Sequence, residues 1–504
     1  MYDINHLAKR LRSASLGRED AIFLQNHQTG QSVSFSAFFA NAERMAAVLV
    51  AKGLVAGDRV AVQAPKTQAM LELYVGAVLA GVVFLPLNTG YTGAEVQYFL
   101  EDATPKLLIC EPDALDSLTP IATAAGVAEI LTLGADEVGT LTMARDMMAA
   151  GFNAVARGPD DLAAILYTSG TTGRSKGAML THRALTSNSV ALMEYWQFTS
   201  DDVLIHALPI FHTHGLFVAT NITLMSGASC IFMAGFEAGA VVAAMQGATA
   251  LMGVPTYYVR LLETAGLAEA AKGMRLFVSG SAPLLAETHQ RWQDVTGHAI
   301  LERYGMTETN MNTSNPYVGE RRAGTVGFAL PGVEVIVANT EGVEVPRGEV
   351  GILEVRGDNV FAGYWKMPEK TAEELRENGF FITGDMAVQD ADGYISIVGR
   401  AKDLIITGGY NVYPKEVELL IDAVDGVVES AVIGVPHADF GEAVVAVVVT
   451  SGDVGEAGIL AAIAPGLARF KQPKRVIIVD ELTRNAMGKV QKKALRERYA
   501  GVMG

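Results

Sequence analysis

The sequence predicts an α/β protein: largely parallel sheets covered on both faces, then a β-rich stretch of antiparallel sheet or a small barrel, then a compact α+β unit. Three observations predict it. Apolar runs of strand length alternate with helical patterns over about residues 1–324. Short strands separated by turn residues fill about 325–399, and a new apolar core begins at Arg400. The expected domains are therefore 1–399 and 400–504, and a 504-residue chain has room for both.

The elements follow in order. Phe38, Phe39, Ala42, Met45, Ala46 and Leu49 share one helical face that ends at Gly53. Gly57-Asp58 turns into an apolar strand, Arg59 to Gln63, followed by a helix to Ala80 and a strand from Val82 to Leu85. Leu107 to Cys110, Leu162 to Tyr167, Val203 to Leu208, Ser229 to Met233, Leu251 to Val254 and Leu276 to Val278 are further buried strands. The barrel-like stretch holds Val333 to Ala338, Gly351 to Val355, Phe380 to Thr383 and Tyr394 to Val398. In the last part, Ala431 to Val435 and Ala443 to Thr450 are strands, and Gln491 to Arg498 is a basic helix.

Composition excludes several functions. Half the residues are hydrophobic and 19% are charged, so the chain folds around a core. A net charge of −16 without a long basic block argues against a general nucleic-acid surface, so any anionic ligand needs a local site. Two cysteines, Cys110 and Cys230, make neither a disulfide framework nor a CxxC zinc site. Met1 to Arg12 has no signal-peptide core, and the longest apolar stretch, Tyr74 to Leu87, is broken by Gly76, Gly81 and Pro86. It reads as a core helix entering a buried strand, in a cytoplasmic protein with no membrane partner.

The sharpest local signal runs from Tyr167 to Gly177, directly after a strand. Glycines 170, 173 and 177 let backbone amides crowd toward an anion, Thr168, Ser169, Thr171 and Thr172 add hydroxyl donors, and Lys176 adds charge. A Walker P-loop needs Ser or Thr after Gly-Lys; Lys176 here precedes Gly177, so that pattern fails. His206, His212 and His214 lack an adjacent acidic or thiol ligand, which weighs against zinc.

This loop resembles the signature of the adenylate-forming superfamily, which includes acyl- and aryl-CoA synthetases. Further ordered matches span nearly the whole chain. Tyr304-Gly305-Met306-Thr307-Glu308 resembles the adenine-and-phosphate segment, and Thr383-Gly384-Asp385 the ribose segment. Gly399-Arg400 resembles the domain junction, Gly408-Gly409-Tyr410 the thioester-forming loop that meets coenzyme A, and Gly488-Lys489 the C-terminal lysine motif. The resemblance implies a large N-terminal domain of two α/β sheet subdomains plus a small β-barrel and a small mobile α+β C-terminal domain, with ATP, Mg²⁺ and coenzyme A as co-substrates or cofactor. It assigns Asp385 and Arg400 to the ribose, Thr307 to the α-phosphate and Glu308 to Mg²⁺, with Glu302 in the nucleotide set. It also makes Lys489 the adenylation lysine, Lys402 the hinge and His212 a gate beside the acyl carboxylate. A carboxylate after a strand can accept both ribose hydroxyls, although a lone turn aspartate is commoner.

Arg303 stands where the superfamily usually has a small residue. An arginine beside the adenylate pocket suits a substrate with a second carboxylate, which Arg303, His206 and Ser281 could hold together. The run Glu302 to Pro316 closely resembles malonyl-CoA synthetases. The implied function is ATP-dependent ligation of malonate, or methylmalonate, to coenzyme A. The alternatives are a ligase for another short acid, an adenylation enzyme loading a separate carrier protein, or a non-catalytic nucleotide binder.

Overall fold

The computed structural model describes residues 2–168, 175–408, 410–437, 439–485 and 488–503. The chain divides into two compact units, Met1–Val335 with Val355–Phe381, and Ile336–Glu354 with Ile382–Gly504.

The first unit holds two large sheets. In one, six strands run in the spatial order Glu129–Thr132, Leu107–Cys110, Arg59–Gln63, Val83–Pro86, Leu162–Thr168 and Lys176–Thr181. All neighbours are parallel except the last pair, which is antiparallel. The second sheet has nine strands, and its parallel centre runs from Leu301–Met306 through Leu276–Ser279, Ala250–Gly253, Val203–His206 and Ser229–Phe232 to Ile22–Asn26. Antiparallel strands close both its ends. The parallel strands Val83–Pro86, Leu107–Cys110, Ala250–Gly253 and Leu276–Ser279 are buried at every position, as continuous apolar runs covered on both faces must be. The helix Gln68–Ala80 is almost wholly buried and leads to Val83–Pro86, so the apolar stretch is core. No helix among the described residues is long and apolar enough to cross a membrane.

One expectation needs correction. The β-rich stretch is the antiparallel sheet, not the barrel. Its strands Val333–Ala338, Val350–Gly357, Phe381–Gln389 and Ile395–Arg400 form an open sheet in that order, with no closure among the described residues. Ile395–Arg400 pairs antiparallel with Phe381–Gln389.

From Ile405 the second unit builds a five-stranded sheet, with Ile405–Thr407, Gly441–Thr450 and Val427–His437 antiparallel and Arg475–Val479 parallel to Gly441–Thr450. Valines and isoleucines of these strands bury against the helices Pro414–Asp422 and Glu456–Ile463 on one face, and Leu495 of the helix Lys492–Tyr499 on the other. Arg496 of that last helix pairs with Asp403 at 2.7 Å, in the short turn Ala401–Asp403 that carries Lys402.

One glycine fixes the site's framework. The strand Leu301–Met306 returns as Asn310–Ser314 through a turn, with a register shift at Tyr304/Gly305. A Cβ on Gly305 would lie 2.0 Å from the Asn310 carbonyl oxygen and 2.7 Å from Met311 Cα, both backbone atoms. Gly305→Ala is therefore expected to destabilise the fold by about 1–3 kcal/mol, the usual cost of forcing atoms into a packed interior. Urea unfolding followed by the fluorescence of buried Trp196 and Trp292 measures this.

Candidate active site

The carboxyl ends of the parallel strands in the nine-stranded sheet converge on one set of basic side chains. In open α/β sheets that edge is where ligands bind. His206 ends Val203–His206, Ser279 ends Leu276–Ser279, and Arg303 lies in Leu301–Met306, whose Glu302 is the register partner of Ser279.

Arg303 is only 3% exposed, and its guanidinium lies flat against Gly280, where a Cβ would sit 2.4 Å from Cζ. Its Nε and Nη2 have no hydrogen-bond partner, and no carboxylate pairs with it among the described residues. Burial without a counter-ion pushes its pKa down to about 9, so it stays cationic at neutral pH. Beside it, His214 takes part in a hydrogen bond between its Nδ1 and Ser281 Oγ at 3.3 Å, while its buried Nε2 has no partner. Burial, then Arg303, His206 and His212, hold His214 well below the usual histidine pKa and leave it neutral. Ser281 sits at φ +72°, a strained left-handed conformation for a serine. Two unpaired N–H positions on one uncompensated cation, beside an unpaired imidazole nitrogen, make a socket for an anion.

Of the residues expected from sequence, the structure brings Arg303 and Ser281 into this group through His214. His206 is held by partners of its own. His206 Nδ1 lies 3.1 Å from Lys66 Nζ, and Nε2 lies 3.0 Å from the Gly215 carbonyl and 3.2 Å from Thr220 Oγ1. With Lys66 donating, Nε2 must carry the proton, so both ring nitrogens are engaged inside the protein. His212 is half-buried beside Phe211, and its carbonyl accepts from Leu216 N–H at 2.9 Å. His214 opens a π-helical turn, His214–Thr220, a local widening that often marks functional sites.

A second cluster in the same unit gathers around Glu308. Glu308, 4% exposed, accepts from Thr168 Oγ1 at 3.3 Å and from Tyr364 Oη at 3.0 Å. Tyr364 Oη also lies 2.6 Å from Glu374, and burial plus these two carboxylates raise its pKa far above the phenol range, keeping it a donor. Lys176 Nζ binds Glu374 at 3.2 Å and stands 3.9 Å from the centre of the Tyr364 ring. Thr307 is in the turn just before Glu308, and Tyr304, Gly305 and Met306 are half-exposed on the strand leading to it. Glu302 is buried and accepts from Leu284 N–H at 3.2 Å, so it braces the strand. Ser169, Gly170, Thr171, Thr172 and Gly173 lie outside the described residues, as does Gly409.

In the second unit, Asp385 and Arg400 are register partners and pair at 2.7 Å, with Asp385 4% exposed and its N–H donating to Thr383 Oγ1. Gly408 donates to the Phe440 carbonyl at 2.8 Å, and exposed Tyr410 stacks on Phe470 at 4.7 Å. Lys489 is exposed, with its N–H held by Asn485 Oδ1 at 3.0 Å.

Sequence reasoning missed Lys66, Tyr364 and Glu374, and considered His214 only as a metal ligand. None carries a spacing signal; each reaches the site from a distant segment.

The AMP-binding enzyme family matches residues 11–365, and its C-terminal domain matches residues 416–489. This chain belongs to the AMP-binding enzyme family. Among solved structures it is similar to ATP-bound MatB from Rhodopseudomonas palustris, with 55% identity and a TM-score of 0.97 over 99% of this chain and 100% of that one. Among curated relatives it is 33% identical to a malonate–CoA ligase of Arabidopsis thaliana, over 88% of this chain and 78% of that protein. It is 36% identical to a feruloyl-CoA synthase of an Amycolatopsis species, over 93% of this chain and 94% of that protein. Overall identity thus does not choose the acid; the pocket must.

In an AMP-binding enzyme, the Tyr364 hydroxyl is expected to keep Glu308 and Glu374 apart. Tyr364→Phe removes a hydrogen bond to a charged group, typically about 1.5–3 kcal/mol, and should raise the KM for ATP by about tenfold or more. Initial rates against ATP concentration check this.

Proposed function

We propose that the protein is an ATP-dependent malonate–CoA ligase working through an acyl-adenylate. The observation that carries the choice of acid is the buried Arg303 without a carboxylate partner, with His214 Nε2 unpaired beside it. A ferulate-sized aromatic acid would face a desolvated guanidinium; a three-carbon diacid completes it. The resemblance to MatB and to a malonate–CoA ligase supports the same reading.

One carboxylate of the substrate is held by Arg303, with Ser281 aligning His214. An oxygen of the other attacks the α-phosphorus of ATP, and pyrophosphate leaves as the bond to the β-phosphate oxygen breaks. Thr307 offers a hydroxyl to the α-phosphate, and Lys176, drawn from Glu374, offers charge to the phosphates. Glu308, a buried carboxylate oxygen among hydroxyls, suits a hard cation. Magnesium bound there would supply charge neutralisation for the departing pyrophosphate. Asp385 accepts the ribose hydroxyls while Arg400 steadies it, and Lys489 neutralises charge developing between acyl and phosphate oxygens.

In the second half-reaction, the coenzyme A sulfur attacks the acyl carbon and AMP leaves. A thiol with a pKa near ~8.5 is partly ionised at neutral pH, so no dedicated base is required. Gly408, Gly409 and Tyr410 guide the thiol. A domain of residues 400–504 turning about Lys402 would offer Lys489 and this loop in succession. ATP and coenzyme A suit a cytoplasmic setting.

The test is AMP release with coenzyme A across short mono- and dicarboxylic acids, for wild type and Arg303→Ala. Stranding the distal carboxylate costs ~3–5 kcal/mol, so kcat/KM for malonate should fall by roughly 10²–10⁴. Propionate, which makes no such contact, should lose far less. Proportional losses for both acids in a folded variant would make Arg303 structural.

A further inference from the structure

A second cation in the first unit has no acid partner. Lys66 lies between the strand Arg59–Gln63 and the helix Gln68–Ala80, whose N-cap is Thr67. Its side chain crosses to the carboxyl edge of the nine-stranded sheet. There Nζ donates to the His206 carbonyl at 2.7 Å and to His206 Nδ1 at 3.1 Å, and stands 4.5 Å from the centre of the Phe232 ring. Phe232 and His206 are register partners on adjacent parallel strands, so one ammonium spans two strand ends. No carboxylate pairs with Lys66 among the described residues.

A mostly buried lysine whose only partners are an imidazole, a carbonyl and an aromatic face is costly for a fold. Its geometry has a definite consequence. Lys66 can only donate, so His206 must accept at Nδ1 and carry its proton at Nε2. That proton then meets the Gly215 carbonyl, which Thr220 Oγ1 also engages at 3.0 Å. Gly215 follows His214, whose buried Nε2 is unpaired and whose ring feels the charge of Arg303. A relay therefore runs from Lys66 through His206 and the Gly215 backbone to His214, and at its far end burial draws the Lys66 pKa well below the usual lysine value.

We propose that Lys66 is a positioning residue that sets selectivity for dianionic over monoanionic acids, by locking His206 and hence His214 and by adding a second uncompensated charge behind the socket. The proposal rests on the diacid reading of Arg303. It extends that reading to a residue that touches no substrate.

The test compares wild type with Lys66→Met, Lys66→Gln and Lys66→Arg, measuring AMP release with malonate and with propionate and separating KM from kcat. Lys66→Met should lower kcat/KM for malonate by about 10–100-fold, mainly through a higher KM, while propionate changes by less than about threefold. Lys66→Gln keeps a donor for His206 but no charge and should fall between. Lys66→Arg should restore the malonate-to-propionate ratio to within about fivefold of wild type. An unchanged ratio in Lys66→Met, or equal losses for both acids, overturns the proposal. If Lys66→Met does not accumulate folded, Lys66→Gln decides, and a wild-type ratio in that variant overturns it. A wild-type enzyme with no preference for malonate over propionate would overturn the diacid reading and this proposal together.

Discussion

A guanidinium taken out of water is among the costliest groups a protein can bury, and Arg303 is buried with no carboxylate to meet it among the described residues. Much of the surrounding structure follows from tolerating that charge. Gly280 leaves the space its Cζ occupies, and His206 and His214 stay neutral because burial and the neighbouring cations penalise their protonation. Ser281 is held at a strained backbone angle beside the ring it aligns. The chain as a whole carries a charge of −16, yet no acid is placed to neutralise this socket among the described residues. A site kept cationic against both local desolvation and overall composition is a site whose ligand brings the missing charge.

The cluster around Glu308 is organised the opposite way. Among the described residues its charges have partners: Glu308 accepts from Thr168 and lies beside Tyr364 Oη, and Glu374 meets Tyr364 Oη, Lys176 and Lys370. Matched charges can be exchanged for new partners at low cost, because each leaving group has another donor nearby. The unmatched Arg303 cannot be exchanged for anything but an anion.

The sequence carried the sheets well, because parallel strands buried on both faces must be continuous apolar runs, as Leu107–Cys110 and Ala250–Gly253 are. Asp385 and Arg400 were legible as motif residues, and their pairing follows from the antiparallel register of two strands close in sequence. The barrel was misread because short strands with turn residues look alike whether or not the sheet closes. His206 was legible as a candidate but its partners were not, since Lys66 and Gly215 come from either side of it in the chain. Tyr364 and Glu374 are 56 and 66 residues from Glu308 and have no spacing that announces them. What the sequence lacked throughout was knowledge of which polar atoms would find partners.

The central claim is that Arg303 is retained for its ligand at the expense of the ligand-free fold. Thermal melting of ligand-free Arg303→Met against wild type tests it most directly. Replacing an uncompensated buried charge by an apolar side chain of similar length is expected to stabilise by about 1–4 kcal/mol, raising Tm by a few degrees while malonate turnover is lost. A lower Tm for the ligand-free variant would show that Arg303 supports the fold, and would contradict the account.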